Sequence, residues 1–435
     1  MTASARRRVP RYSPTSYQGR GSGYYSSIVE GYCHPAMFII YTHYRAQTKL
    51  TRLLRHCIPS RQLSTTSSRL VNAAEALHQE ELQKQTQSNG FNPMAQEKKA
   101  PAVPRPSSSV LVISPNNQIL LLQRVKQSSS FPSAHVFPGG NVAERHDGRV
   151  PPPESFDRHV DSEVYRMCAI RECFEESGIL LARNNGFGRL IEVPEAEREE
   201  GRKAIHSNES LFPEWLSKKG GRADIDGLIP FTRWVTPTNV PKRFTTQMYL
   251  YFLPTMSSTS FKESSQDNEE EEVKIPLPTT DGGLEHTTAR FLPASVWLRL
   301  AQEGRIIMFP PQFFLLHQIA QHFDNLPDPI AYGSISRDPL SRQELEKRRK
   351  SLTDFVKTSQ PPWTEKVISP IIRPVRDGKK REDNRSVLSL EKPGPELEGS
   401  GRSGENEQCI LVNFRKEGPR HLAVISKVEA TNPKL

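Results

Sequence analysis

One nine-residue segment, Arg171-Glu-Cys-Phe-Glu-Glu-Ser-Gly-Ile179, limits what this chain can fold into more than any other. The run from about Asp161 to Ser177 predicts a helix, and Gly178 stands where a C-cap glycine belongs. On that helix Glu172, Glu175 and Glu176 fall at i, i+3 and i+4, so they share one face. Met167, Ile170 and Phe174 fall opposite and fit a core. Neighbouring carboxylates repel one another. The face is therefore either solvated or neutralised by a divalent cation. Hard oxygen donors select Mg²⁺, Mn²⁺ or Ca²⁺ rather than zinc.

Around this helix the chain alternates strands and helices. Val110–Ile113 and Ile119–Leu122 are apolar runs on either side of Pro115-Asn-Asn, which predicts a β-hairpin. Strand character returns at Leu228–Val235, Gln247–Leu253 and Leu284–Phe291. Short helices are expected around Phe212–Leu216, then at Pro293–Glu303 and Pro311–Phe323. Thr255–Val273, Ser-rich and then acidic, reads as a surface loop. Residues 326–407 are Pro-rich, charged and poor in apolar side chains, hence a low-complexity linker. A C-terminal hairpin is expected within 408–435, from Cys409–Phe414 and His421–Ser426, adding strands to the main sheet.

Only 35% of residues are hydrophobic and 36 are proline, so one sizeable domain with unfolded flanks is expected. Of 59 basic and 49 acidic side chains, eleven and one respectively lie in residues 1–74. The rest of the chain balances at 48 of each. That body has no charge bias towards nucleic acid. Residues 1–74, rich in Arg, Ser and Tyr, have the composition of a disordered mitochondrial targeting segment that engages import machinery. Within it, Arg45, Lys49, Arg52 and His56 form one helical face, and Ala46, Leu50, Leu53 and Leu54 the other. Arg61-Gln-Leu-Ser-Thr-Thr-Ser-Ser resembles fungal presequence processing sites. The start is open between Met1 and Met37, with Met37 giving a compact acid-free leader before Glu75, and N-terminal sequencing of the native precursor decides between them. Residues 75–107 read as a linker. The final Pro-Lys-Leu differs by one residue from a peroxisomal address, the alternative destination. Five scattered cysteines without a C-x-x-C pair argue against a disulfide scaffold or structural zinc. No apolar run is long enough for a transmembrane helix.

The helical segment resembles the Nudix box, G-x5-E-x7-R-E-U-x-E-E-x-G-U with U aliphatic. Glu163 is followed after seven residues by Arg171-Glu172, then Cys173, Glu175-Glu176, Gly178 and Ile179. Gly139 and Gly140 close Phe137-Pro-Gly-Gly140, the usual opening of the box. Two departures stand out. Cys173 replaces an aliphatic residue, and 22 residues rather than five separate Gly140 from Glu163. The 141–162 segment is thus an insertion within the box, expected to form an excursion loop. Ile119-Leu-Leu-Leu-Gln-Arg124, Phe231-Thr-Arg-Trp-Val-Thr-Pro237, Pro241-Lys-Arg-Phe-Thr245 and Met308-Phe-Pro-Pro-Gln-Phe-Phe314 resemble segments of peroxisomal Nudix acyl-CoA diphosphatases. The resemblance spans about residues 108–325 and points to a fungal member.

The resemblance implies an α/β fold, the Nudix α/β/α sandwich with a mixed β-sheet. It implies Mg²⁺- or Mn²⁺-dependent hydrolysis of a diphosphate in a nucleotide substrate. The first candidate is CoA or acyl-CoA, cut to 3′,5′-ADP and 4′-(acyl)phosphopantetheine. NADH or ADP-ribose is the alternative, and a non-catalytic interaction module the third reading. It implies metal binding by Glu172, Glu175 and Glu176, and a structural pair of Glu163 with Arg171. Gly139, Gly140 and Gly178 would serve the backbone of the box. The general base is open between Glu172 and Glu285. Arg124, Arg233, Lys242 and Arg243 are substrate-binding candidates. Arg124 fits a CoA signature, whereas Val125 departs from it and its second arginine is missing. Trp234 reads as a core aromatic with adenine stacking as the other option, and Phe313 and Phe314 as packing. His135 reads as a hydrogen-bonded turn residue. Cys168 and Cys173 have no neighbouring base to make them nucleophiles.

Overall fold

The computed structural model describes residues 100–126, 132–185, 189–255, 278–279, 285–324, 340–373 and 381–431. The expectations for residues 1–74, for 75–99 of the linker and for the 256–273 loop lie outside the described residues.

The chain enters through β1 (Arg105–Ile113), turns at Pro115–Gln118 and returns as β2 (Ile119–Arg124). Short strands β3 (Ala134–Val136) and β4 (Gly139–Asn141) follow, then α1 (Glu144–Asp147) and the long helix α2 (Glu163–Ser177). Next come β5 (Ala182–Asn184), α3 (Glu195–His206), α4 (Phe212–Lys218), β6 (Gly221–Ala223), β7 (Ile229–Val235) and β8 (Phe244–Phe252). Then β9 (His286–Leu292), α5 (Ala294–Gln302), β10 (Ile307–Met308) and α6 (Pro310–Phe323) complete the expected domain. The main sheet is mixed. Its order is β10-β3-β2-β1-β8-β7-β11, where β11 is Val367–Ile368, with β4 paired to β1 and β9 to β2. β1 and β8 run parallel over nine paired positions, from Arg105 opposite Phe244 to Ile113 opposite Phe252.

Period-two alternation builds two cores from one sheet. Val110, Val112, Leu120 and Leu122 face Tyr165, Ile170 and Phe174 of α2, with α3 and α4 beside them. Leu111, Ile113, Ile119 and Leu121 face the opposite way, onto Trp297 and Leu298 of α5 and Phe313–Leu316 of α6. Helices on both faces of a mixed sheet make the α/β/α sandwich. Each of these buried aliphatic side chains contributes about 1.5–3 kcal/mol.

Residues 340–407 overturn the linker expectation where they are described. α7 (Arg342–Thr358) buries Leu345, Leu352 and Val356 together with Arg348 and Arg349. Arg349 donates to the carbonyls of Ser114 (2.7 Å) and Leu253 (2.9 Å) and to Asn117 Oδ1 (2.8 Å), so it fastens the β1–β2 turn. Two arginines on the buried face lower the apolar count of the segment, which is why composition hid the helix. β11 adds a parallel edge strand beside β7. β12 (Ile371–Ile372), β13 (Ser386–Leu390), β14 (Glu405–Arg415) and β15 (Gly418–Ser426) form a second, antiparallel sheet, and α8 (Lys427–Thr431) ends the described chain. The expected hairpin therefore exists as β14–β15 but belongs to its own sheet rather than the main one. It joins the α5–α6 core through Ile410, Val412 and Leu422, and Arg420 donates to Ile306 O at 3.1 Å.

Candidate active site

The site forms where β4 crosses β1 under the last turns of α2. Gly140 lies opposite Ser108 and Gly139 opposite Ser109. A Cβ at Gly140 would stand 2.5–2.6 Å from the Glu172 carboxyl group, and one at Gly139 would stand 2.3 Å from Ser108 O. Both positions are glycine because the backbone has no room for more. The Gly139 amide donates to Glu176 Oε2 at 2.8 Å, so the glycine loop grips the last glutamate of the helix directly. Gly178 adopts the left-handed conformation (φ 70°) and its amide closes α2 onto Phe174 O.

Arg171 is the hub. Its guanidinium binds Asp147 through two parallel bonds, Nε to Oδ1 at 2.9 Å and Nη2 to Oδ2 at 2.8 Å. Nη1 reaches Glu175 Oε1 at 2.8 Å and Glu172 Oε1 at 3.0 Å, and Nη2 also donates to Asn141 O. The expected partner, Glu163, is exposed at the first turn of α2. The reason is geometric: Glu163 lies more than two turns from Arg171, whereas the insertion folds Asp147 back against it. Asp147 stands seven residues after Gly140, one more than the pattern gives its acid. The intervening position, His146, turns away, accepting from the Phe212 amide at 3.2 Å and pairing with Asn208 Oδ1 at 3.0 Å. Counting from the glycine end lands on His146, one residue short of Asp147. The insertion is also no excursion. His159 pairs with Thr245 Oγ1 at 2.9 Å, and Asp161 accepts from Arg166 (2.6 Å) and Tyr249.

The three box glutamates differ in surroundings. Burial pushes Glu172 up to about 7; Arg171 opposes the shift, and Glu175 and Asp147 add to it. Glu176 is pushed well above the carboxylate range, by burial first and then by Glu172, against the Gly139 amide and Arg124. Glu175 is held between Arg171 and His206, whose Nδ1 lies 3.3 Å from its Oε2. Arg202 of α3 donates to the Glu175 carbonyl at 2.8 and 3.1 Å, capping the end of α2. The neighbouring thiols are buried, and burial pushes Cys173 up to about 12.

A second group faces Glu176 from the strand side. Glu176, Glu285 and His286 each bring one donor atom within 4.8 Å of the others. His286 is buried with Nε2 3.6 Å from Glu176 Oε1, and Glu285, half-exposed, lies 3.6 Å from Arg124 Nη2. Carboxylate and imidazole donors gathered in this way suit a divalent ion. The sequence singled out Glu285 but not its neighbour His286. Adjacency to Glu285 was its only signal.

The structure moves two substrate-binding candidates into the protein interior. Arg233 is buried beneath the insertion, its guanidinium 4.3 Å from the centre of the Tyr165 ring, donating to Val160 O and Thr245 Oγ1. It lies on β7, whose side chains here fill the core rather than a cleft. Arg243 is buried too, donating to Thr236 O (2.9 Å), Ala102 O (2.8 Å) and Glu396 Oε1. Lys242 stays exposed in the β7–β8 turn. Arg124, at the end of β2, is the candidate that remains beside the carboxylates. Trp234, Phe313 and Phe314 are core residues. His135 sits on β3 opposite Gln123 rather than in a turn.

Comparison with known proteins follows this geometry. A family model described as the NUDT19 Nudix domain matches residues 153–319. The acyl-coenzyme A diphosphatase NUDT19 of Gallus gallus is 30% identical over 263 residues, covering 50% of this chain and 64% of that protein. The putative nudix hydrolase 7 of Caenorhabditis elegans is 26% identical over 241 residues, covering 55% and 68%. A solved Nudix hydrolase from Alicyclobacillus acidocaldarius is 24% identical with a TM-score of 0.37, covering 54% of this chain and 98% of that one. Residues 153–319 thus match the model of a Nudix domain, that of acyl-coenzyme A diphosphatases, and the chain spans less than two thirds of the Gallus gallus relative.

Proposed function

We propose that the chain is a metal-dependent Nudix pyrophosphohydrolase that cleaves CoA or acyl-CoA to 3′,5′-ADP and 4′-(acyl)phosphopantetheine. The observation that carries this is the glutamate face of α2, where one guanidinium confronts Asp147, Glu172 and Glu175 while Glu176 lies buried alongside. Acidic charge in excess of its counter-charge, gathered over a glycine loop, suits a cation that in turn binds a diphosphate. Glu172, Glu175 and Glu176 would hold Mg²⁺ or Mn²⁺. When bound, the ion supplies charge neutralisation at the scissile diphosphate.

The chain's own groups do the rest. Gly139 and Gly140 let the loop pack directly against Ser108 and the Glu172 carboxyl. Asp147 fixes Arg171, which fixes Glu172 and Glu175. Glu172 is one candidate acceptor of the proton from attacking water. Glu285 is the other acceptor, and Arg124 beside it binds substrate phosphate. The intact box glutamates weigh against a non-catalytic module.

One sequence feature favours a second substrate class. Val125 and the missing second arginine depart from the CoA signature, and Arg243 is engaged within the protein. NADH or ADP-ribose is therefore the alternative. The test is incubation with each divalent ion and CoA, acyl-CoAs, NADH and ADP-ribose, with products read by mass spectrometry. Release of 3′,5′-ADP from CoA species supports the reading. AMP from NADH or ADP-ribose alone replaces the substrate class, and no product from any of them refutes hydrolysis. We also propose that residues 1–74 direct import into mitochondria, with the final Pro-Lys-Leu as a weaker peroxisomal alternative. Imaging of the tagged precursor with and without residues 1–74 distinguishes the two.

A further inference from the structure

We propose that His286 is a direct nitrogen donor to the divalent ion of the box glutamates, on the Glu176 side beside Glu285, and that it biases the site towards Mn²⁺ over Mg²⁺. The inference rests on the metal-dependent reading above and concerns which ion the site prefers.

The first observation is placement. His286 is fully buried, its Nε2 is 3.6 Å from Glu176 Oε1, and it shares with Glu176 and Glu285 a set of donor atoms all within 4.8 Å. The second is backbone irregularity. β2 and β9 pair regularly from Ile119 opposite Leu292 to Gln123 opposite Thr288. The register then shifts, and Arg124 meets His286 rather than Thr287. Thr287 is thus the extra residue of a bulge and points to solvent, its hydroxyl on Gln123 O. A bulge re-aims the side chains that flank it. Here it brings His286 inward, next to Glu285 at the mouth of the glutamate cluster.

The third argument is chemical. A neutral imidazole adds a donor without adding to the repulsion among Glu172, Glu175 and Glu176. Magnesium demands oxygen donors and keeps much of its water, whereas imidazole suits transition ions. An all-carboxylate site would leave the Mg²⁺/Mn²⁺ choice to availability. One nitrogen donor tilts it.

The test is pulsed electron paramagnetic resonance of the full chain titrated with Mn²⁺. The expected result is nitrogen modulation from a directly bound imidazole, altered when the protein carries ¹⁵N-histidine. It should persist in His206→Gln, which removes the imidazole beside Glu175, and vanish in His286→Gln. Mn²⁺ affinity relative to Mg²⁺ should fall in His286→Gln by at least the ~10-fold seen when even an outer-shell partner of a metal is lost. Should His286→Gln fail to fold, the labelled wild type and His206→Gln still decide. Bound Mn²⁺ without nitrogen modulation, or modulation that disappears with His206→Gln, overturns the proposal and leaves the hydrolase reading standing. No Mn²⁺ binding by the wild type overturns both.

Discussion

Two helices of this protein each bury an arginine against the sheet, and they do so for different ends. On α2, Arg171 faces carboxylates: Asp147, Glu172 and Glu175. On α7, Arg349 faces neutral acceptors, the carbonyls of Ser114, Pro115 and Leu253 and the amide oxygen of Asn117. Carbonyl dipoles satisfy a guanidinium without excess charge, so the Arg349 cluster is self-contained and serves architecture. Acids around Arg171 outnumber it, so that cluster stays electrostatically incomplete. Burial of charge alone does not mark a functional site; an unbalanced count does.

The largest expected effect is at the unbalanced cluster. Glu172→Gln should lower turnover by ~10²–10³-fold, the scale for losing one charge-stabilising group, with melting temperature unchanged or raised as repulsion is relieved. Steady-state kinetics and a thermal scan read both, and a variant that unfolds without losing turnover per folded molecule contradicts the comparison. Arg349→Ala should do the reverse. It strands several buried carbonyls, costing roughly 3 kcal/mol, while turnover of the folded fraction persists; urea unfolding measures the loss. Asp147→Asn should fall between them, lowering turnover by ~10–100-fold as expected for an outer-shell partner, whereas Glu163→Gln should leave it unchanged. Equal effects of those two would restore Glu163 as the partner of Arg171.

A smaller effect concerns acid. Burial lowers His135, His159 and His317 from 6.5 to about 4. Because these folded-state values lie below the unfolded one, the unfolded chain binds protons first as pH falls. The stability these three histidines contribute is full above about pH 6.5 and declines towards pH 4, and the raised Glu172 and Glu176 carboxyls act in the opposite direction. Melting temperatures across that range check this, and His159→Gln should flatten the decline. The smallest effect is Lys242→Ala, within about 0.5 kcal/mol of stability, with the Michaelis constant rising only if this exposed side chain touches substrate.

Much of this was legible in the sequence, and the misses have physical causes. The helix of the box was readable from its glutamate spacing and its Gly178 cap, and the hairpin of β1 and β2 from its two apolar runs around Pro115-Asn-Asn. The Glu172–Glu176 face followed from helix geometry. Asp147 was missed because a pattern counted from one end conceals an acid offset by a single residue at the other. His286 was missed because a bulge, invisible to alternation, decides which way it points. Arg233 and Arg243 stood out by charge as substrate-binding candidates, whereas the fold engages them internally with Tyr165, Val160 and Thr236. α7 escaped notice for a related reason, since buried arginines make a core-facing helix resemble a charged linker.

The account stands most directly on thermal unfolding with and without Mn²⁺, in the wild type and in Glu176→Gln. A ligand that binds only the folded state raises its melting temperature. The incomplete cluster predicts a clear Mn²⁺-dependent rise in the wild type and its loss in Glu176→Gln, with the metal-free variant at least as stable as the wild type. An equal Mn²⁺ response in both proteins, or none in either, would contradict the reading of the α2 face as a cation site.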